Sequence, residues 1–195
     1  YREAGITSVR LDEYGCIDFA DIFPNFDADP YDPASYVFTL ADQYIKSIVD
    51  LGIQVVFRAG YGNAHKRHVA LADQDKWADV MLQVVKHYNA GWANGHHWNI
   101  KYWEIWNEPS GHGWDGTKEL YFELYKNIAF KIKGYDPSLE VGGPSLGGPS
   151  PSYDREFAQA FIQYCSAHKV PLDFFAYHLY FTDPAEHLEH CLLYT

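Results

Sequence analysis

The segment IKYWEIWNEPSG, Ile100–Gly111, sets an amide and a carboxylate side by side where an apolar run meets a proline. Asn107 can donate to or accept from a hydroxyl without carrying charge. Glu108, at the mouth of a strand rich in tryptophan and isoleucine, is partly withdrawn from water. That is the setting of a carboxyl group that serves as a general acid near neutral pH. Pro109 ends the strand and fixes the turn. Side chains alternate along a strand, so Glu104, Trp106 and Glu108 are expected on one face, with Glu104 the deeper. The bland alternative is a solvated loop glutamate.

Other chemistries find less support. Cys16, Cys165 and Cys191 lie far apart without CxxC spacing, which fits neither a zinc framework nor a disulfide scaffold. The histidine pairs His65/His68, His96/His97 and His187/His190 lack carboxylate or cysteine partners at recognised ligand spacing. No metal or other cofactor is therefore expected. The net charge of −11, without a basic cluster, disfavours nucleic acid. No apolar run reaches membrane-spanning length. YREAGITSVR shows no signal peptide, and localisation stays unassigned. Aromatic residues make up 17% of the chain, mostly for core packing, with a minority suited to stacking on sugar rings.

The elements that must position these residues alternate. TSVRL (Thr7–Leu11), IQVVFRAG (Ile53–Gly60), the Ile100 segment, LEVGG and LDFFAYHLY (Leu172–Tyr180) read as strands. Between them run helical stripes. The first carries Ala41, Tyr44, Ile45, Ile48 and Leu51, with Thr39 and Asp42 as a capping box and Gly52 as its stop. The second carries Trp77, Val80, Met81, Val84, Val85 and Tyr88 and stops near Gly91. The third carries Tyr121, Leu124, Tyr125, Ile128 and Ile132 and stops at Gly134. The fourth carries Phe157, Ala160, Phe161 and Tyr164. A long Asp/Pro/Phe loop, DIFPNFDADPYDPASY, follows the first strand.

Such βα alternation over a single domain, residues 1–195, leaves an open doubly wound sheet or a (β/α)₈ barrel. VRLDEYG offers no GxGxxG after the first strand, and VGGPSLGGPS lacks a P-loop ending. The barrel is favoured, with chemistry at the C-terminal strand ends. Arg10, Asn107, Glu108, His178 and Tyr180 all stand there. Any one alone reads as a satisfied polar group; several on one rim read as a site.

WEIWNEP resembles the fourth-strand signature of the clan A glycoside hydrolases, retaining enzymes on a (β/α)₈ barrel. FPNFDADPYDPASYVFTLADQYIKSI, HYNAGWANG and LDFFAYHLY resemble members near glycoside hydrolase family 39, the β-xylosidase and α-L-iduronidase group. The resemblance implies hydrolysis of O-glycosidic bonds, with β-linked xylosides, glucosides or related sugars as substrates. It implies Glu108 as acid/base and Asn107 as the contact to the sugar 2-hydroxyl. Arg10 matches an arginine that orients the nucleophile, and His178 and Tyr180 match an H-x-Y near the nucleophile and the −1 sugar. His65 falls where relatives carry a third-strand loop histidine, and Trp114 could wall the cleft.

A retaining enzyme needs a second carboxylate about 5–5.5 Å from the first. Glu104 lies four residues back along the strand, about 13 Å away, and is expected to pair instead with Arg58. Asp12, Glu140 and Glu186 have no recommending context. The strands map as two to six of the barrel, which puts the nucleophilic glutamate on a strand beyond Thr195 and makes the chain an excerpt. Two alternatives stay open: a split barrel that binds carbohydrate or is completed by a second chain, and a sugar receptor without catalysis, which would have no use for a proton donor.

Overall fold

The computed structural model describes residues 2–12, 16–60, 73–111, 113–147, 151–178 and 185. Strands β1 (Ser8–Arg10), β2 (Gln54–Ala59), β3 (Tyr102–Ile105), β4 (Glu140–Leu146) and β5 (Phe174–Tyr177) pair in parallel, in the order of the chain. Parallel neighbours need long crossovers. Those after β1 to β4 carry α1 (Phe19–Ile22) and α2 (Thr39–Val49), then α3 (Gln74–Ala90), α4 (Lys118–Tyr135) and α5 (Pro151–His168). A doubly wound sheet reverses its strand order at a switch point; this sheet does not. It is part of a (β/α) barrel, as expected.

Strand alternation divides the side chains into two layers. Phe57 and Trp103 are register partners on β2 and β3, with ring centroids 4.9 Å apart, and Phe57 packs on Tyr88 of α3 at 5.6 Å. The next register pair, Arg58 and Glu104, points to the opposite, interior face, and both side chains are buried. Apolar burial against the helices holds the sheet, while the interior carries charge.

The helical stripes bury as their spacing predicts. On α3, Trp77, Val80, Met81, Val84, Val85 and Tyr88 are almost fully buried, as are Tyr121, Leu124, Tyr125, Ile128 and Ile132 on α4. The Asp73 side chain caps α3 by accepting from Lys76 N at 3.0 Å, and Gly91 ends it in the left-handed region at φ 74°. The α3–α4 seam closes with a Lys131–Asp79 ion pair and an Asn127 to Asp75 hydrogen bond of 3.2 Å. Among the described residues, no helix is long and apolar enough to cross a membrane.

Three local expectations fail. Thr39 is the first residue of α2, its N-cap Phe38 makes no side-chain cap, and Asp42 turns to His87 instead, so there is no capping box. Helix α4 passes through Gly134 to Tyr135, because the Asp136 N–H closes a last turn onto Ile132 O at 2.9 Å. Strand β4 continues past LEVGG to Leu146, with a register shift between Pro144 and Leu146 and Ser145 at φ 54°. Proline donates nothing to the ladder and a bulge absorbs the irregularity.

Candidate active site

The site forms where β3 runs out. Its ladder stops at Ile105, and Trp106 takes a left-handed φ of 76° while its N–H still donates to Ala59 O at 2.6 Å. The turn swings the indole outward. Its ring lies 5.4 Å from Trp77 of α3 and 4.9 Å from Trp114, and its Nε1 donates to Gly113 O at 2.7 Å. Trp106 therefore does not share a face with Glu104: alternation ends with the extended backbone that produces it.

The same turn brings Asn107 and Glu108 over the interior. Asn107 Oδ1 accepts from Arg10 Nη2 at 2.8 Å, and Arg10 Nε bonds Glu104. Arg10 ends β1, so its guanidinium reaches across β2 to two residues of the β3 segment. Strands two apart are separated by about 10 Å in a flat sheet, and curling brings such partners together. Glu104, only 3% exposed, is thus held by Arg10. Arg58 pairs instead with the buried Asp18 at 2.5 Å, which corrects the expected Arg58–Glu104 pair. Register makes those two neighbours, but each finds its closer partner elsewhere. Asp12 stands 3.9 Å from both arginines.

Glu108 is fixed from several sides. Its N–H donates to Ser145 O at 3.0 Å, and its own carbonyl accepts from Gly111 N at 2.9 Å. Its Oε1 lies 2.7 Å from His178 Nδ1, and the two side chains keep 15% and 20% exposure. They remain open to a ligand while pinned to each other. His178 follows β5 directly and is placed by its N–H donating to Leu146 O at 2.8 Å. The bulge at Ser145 thus supplies the carbonyl that seats Glu108. Its hydroxyl also lies 3.5 Å from Arg10 Nη2.

Gly147 passes so close to Glu108 that a side chain there would overlap Cγ, Cδ and Oε1 of the carboxylate. It is tied down by donating its N–H to Ser110 Oγ at 3.1 Å, and that hydroxyl donates to the buried Asp154 of α5 at 2.7 Å. Ser110, Ser145, Gly147 and Asp154 were not singled out in the sequence. The signal lay in VGGPSLGGPS, whose glycines fit a backbone pressed against another group rather than a phosphate.

The structure thus brings Arg10, Asn107, Glu108 and His178 together. Trp114 is 9% exposed, donates Nε1 to Thr117 O at 2.8 Å, and offers its ring edge to Trp106 and Tyr121. It backs Trp106 instead of lining an open wall. His65 and Tyr180 lie outside the described residues. Glu140 pairs with Lys101 at 2.5 Å at the N-terminal end of β4, the opposite rim.

The profile of the glycosyl hydrolases family 39 matches residues 1–192. The chain belongs to this family. The β-xylosidase of Geobacillus stearothermophilus is 31% identical over 171 residues, covering 78% of this chain and 32% of its own length. The crystal structure of a glucosidase from Croceicoccus marinus superposes with a TM-score of 0.76 at 29% identity, over 95% of this chain and 40% of that one. A monomeric β-xylosidase from Caulobacter crescentus superposes at 0.57 with 25% identity, over 74% and 31%. The chain therefore spans about a third of the length of that β-xylosidase, and these likenesses carry the partial barrel.

Proposed function

We propose that this chain carries the acid/base half of a retaining glycosidase acting on β-linked xylosides, glucosides or related sugars, with Glu108 as acid/base. The observation that carries the reading is Glu108 itself: half-withdrawn from water at a strand's C-terminal end, backbone-clamped, with one oxygen 2.7 Å from His178 Nδ1. β-Xylosidases and a glucosidase among the relatives support the substrate class.

In the first step the Glu108 carboxyl proton passes to the glycosidic oxygen as the C1–O bond breaks. A second carboxylate, on a strand outside this chain and about 5–5.5 Å from Glu108, bonds to C1 and forms the glycosyl-enzyme. Glu108, now a carboxylate, takes a proton from water, whose oxygen displaces the enzyme carboxylate at C1. The proton is back on Glu108 and the anomeric configuration is retained. His178 holds Oε1, which leaves Oε2 to the leaving-group oxygen. Arg10 occupies Asn107 Oδ1, so the Asn107 amide N–H group donates to the sugar 2-hydroxyl. Two carboxylates suffice for this chemistry without a metal.

Azide rescue tests the assignment. In the full-length protein, Glu108→Ala should lower kcat/KM about 10²–10⁴-fold on an unactivated β-xyloside. An aryl glycoside with a good leaving group should lose less in its first step, and azide should restore turnover with a β-glycosyl azide as product. Parent activity with no rescue of the variant would remove Glu108 from the role.

A further inference from the structure

Away from Glu108, three side chains that the sequence scatters meet in the outer layer. Asp42 stands in the first turn of α2, His87 in the last turn of α3, and His96 after the short turn Trp92–Asn94 that follows α3. His87 Nε2 is 3.0 Å from Asp42 Oδ1, His96 Nε2 is 3.4 Å from Oδ2, and one donor atom from each lies within 4.8 Å of the others.

Both imidazoles turn a ring nitrogen to the same carboxylate. His87 Nδ1 lies 2.9 Å from Trp92 O. A carbonyl only accepts, so Nδ1 carries the hydrogen, and Nε2 faces the carboxylate, where either a second proton or a metal ion must lie between them. His96 Nε2 is buried, makes no well-formed hydrogen bond among the described residues, and lies 3.4 Å from the other oxygen of the same carboxylate. Two ring nitrogens this close to one carboxylate call for positive charge among them.

We propose that Asp42, His87 and His96 bind a divalent transition ion of the zinc class, tetrahedral, with water as fourth ligand. Zinc bound at about 2.0–2.2 Å sets its ligand atoms about 3.3–3.6 Å apart; one donor atom from each side chain lies within 4.8 Å of the others, a spread that a small side-chain rotation closes onto an ion. The Trp92 carbonyl is the outer partner that fixes a metal-ligating imidazole and its tautomer. Phe38 stacks on His87 at 3.5 Å and Trp98 on His96 at 3.8 Å, with the two imidazole planes 86° apart. Asp42 and His96 keep 26% and 29% exposure, which gives water access to the ion. Two imidazoles disfavour magnesium and calcium. The ion pins the start of α2 to the end of α3, apart from the acid/base machinery.

The test is zinc chloride titrated calorimetrically into the full-length protein after chelator treatment, with magnesium chloride as control. One zinc per chain should bind, magnesium should not, and zinc should raise the melting temperature. Asp42→Asn and His96→Gln each alter a partly exposed ligand and should weaken binding about tenfold or more. Cobalt in place of zinc should give the intense visible spectrum of a tetrahedral ion. Absence of saturable binding, wild-type affinity in both variants, or a weak octahedral cobalt spectrum would overturn the site and leave His87 as an imidazolium bridged to Asp42.

Discussion

Gly147 is the position where one added methyl group acts most directly on Glu108. The atoms it would strike belong to the Glu108 side chain rather than to backbone, so the overlap is relieved by pushing the carboxylate off His178 while the backbone stays in place. Gly147→Ala should therefore leave the melting temperature within a few degrees while lowering kcat about a hundredfold, the order associated with a displacement near 1 Å at a reacting group. Parallel thermal scans and steady-state kinetics on an aryl β-glycoside check both halves; full activity would mean Glu108 tolerates the shift. Trp106 teaches the complementary lesson. Strand alternation assigns it to the face of Glu104, but a single left-handed residue turns it outward to Trp77. Nothing in WEIWNEP marks that φ, because it is stabilised by the partners the indole meets.

At the scale of elements, the arginine on β1 ties the strands together. Arg10 joins the buried Glu104 of β3 across the intervening strand, and breaking a buried charge pair by removing one partner typically costs about 3–5 kcal/mol. Arg10→Ala, which leaves a buried carboxylate uncompensated, should destabilise strongly, and Glu104→Ala less, because the Arg10 side chain is 26% exposed and keeps Asn107; the double variant should cost less than their sum by about 1–3 kcal/mol. Urea unfolding of the four proteins measures this, and simple additivity would sever the pair. Strand alternation places Glu104 deep and strand adjacency points to Arg58 as its partner. Register was legible there; the sheet's curl, which lets a strand-end arginine reach past its neighbour, was not. The extension of β4 through Ser145 was likewise hidden, since a proline inside a run reads as a stop.

Across the whole molecule, aromatic burial sets an alkaline limit. Burial pushes the phenols of Tyr121 and Tyr125 well above their ordinary value, and it is the main cause that raises Tyr164 to about 12 and the Cys165 thiol to about 12. Each group holds its proton more tightly folded than unfolded. Their contribution is intact below the unfolded values, near 8.5 for thiols and 10 for phenols, and is lost as pH rises toward 12. Unfolding in alkali should be cooperative, with tyrosinate absorbance from buried rings appearing together with loss of circular dichroism. Ionisation of every tyrosine, buried rings included, near pH 10 with circular dichroism unchanged would contradict the packing around α4 and α5. Aromatic content alone forecast a ring-rich core, and Trp114 proves part of it instead of a cleft wall.

By itself the sequence determined the parallel βα order, the buried stripes of α3 and α4 and the Asn107–Glu108 rim, because each follows from local periodicity or from adjacent residues. Tertiary structure alone decided that Arg10 holds both Glu104 and Asn107, that Ser145 and Gly147 seat Glu108, and that Asp42, His87 and His96 converge. The physical reason is distance along the chain. These contacts join residues separated by 9 to 97 positions, and their geometry depends on how strands curl, where a bulge falls and how one helix end meets another. No window of sequence carries those quantities.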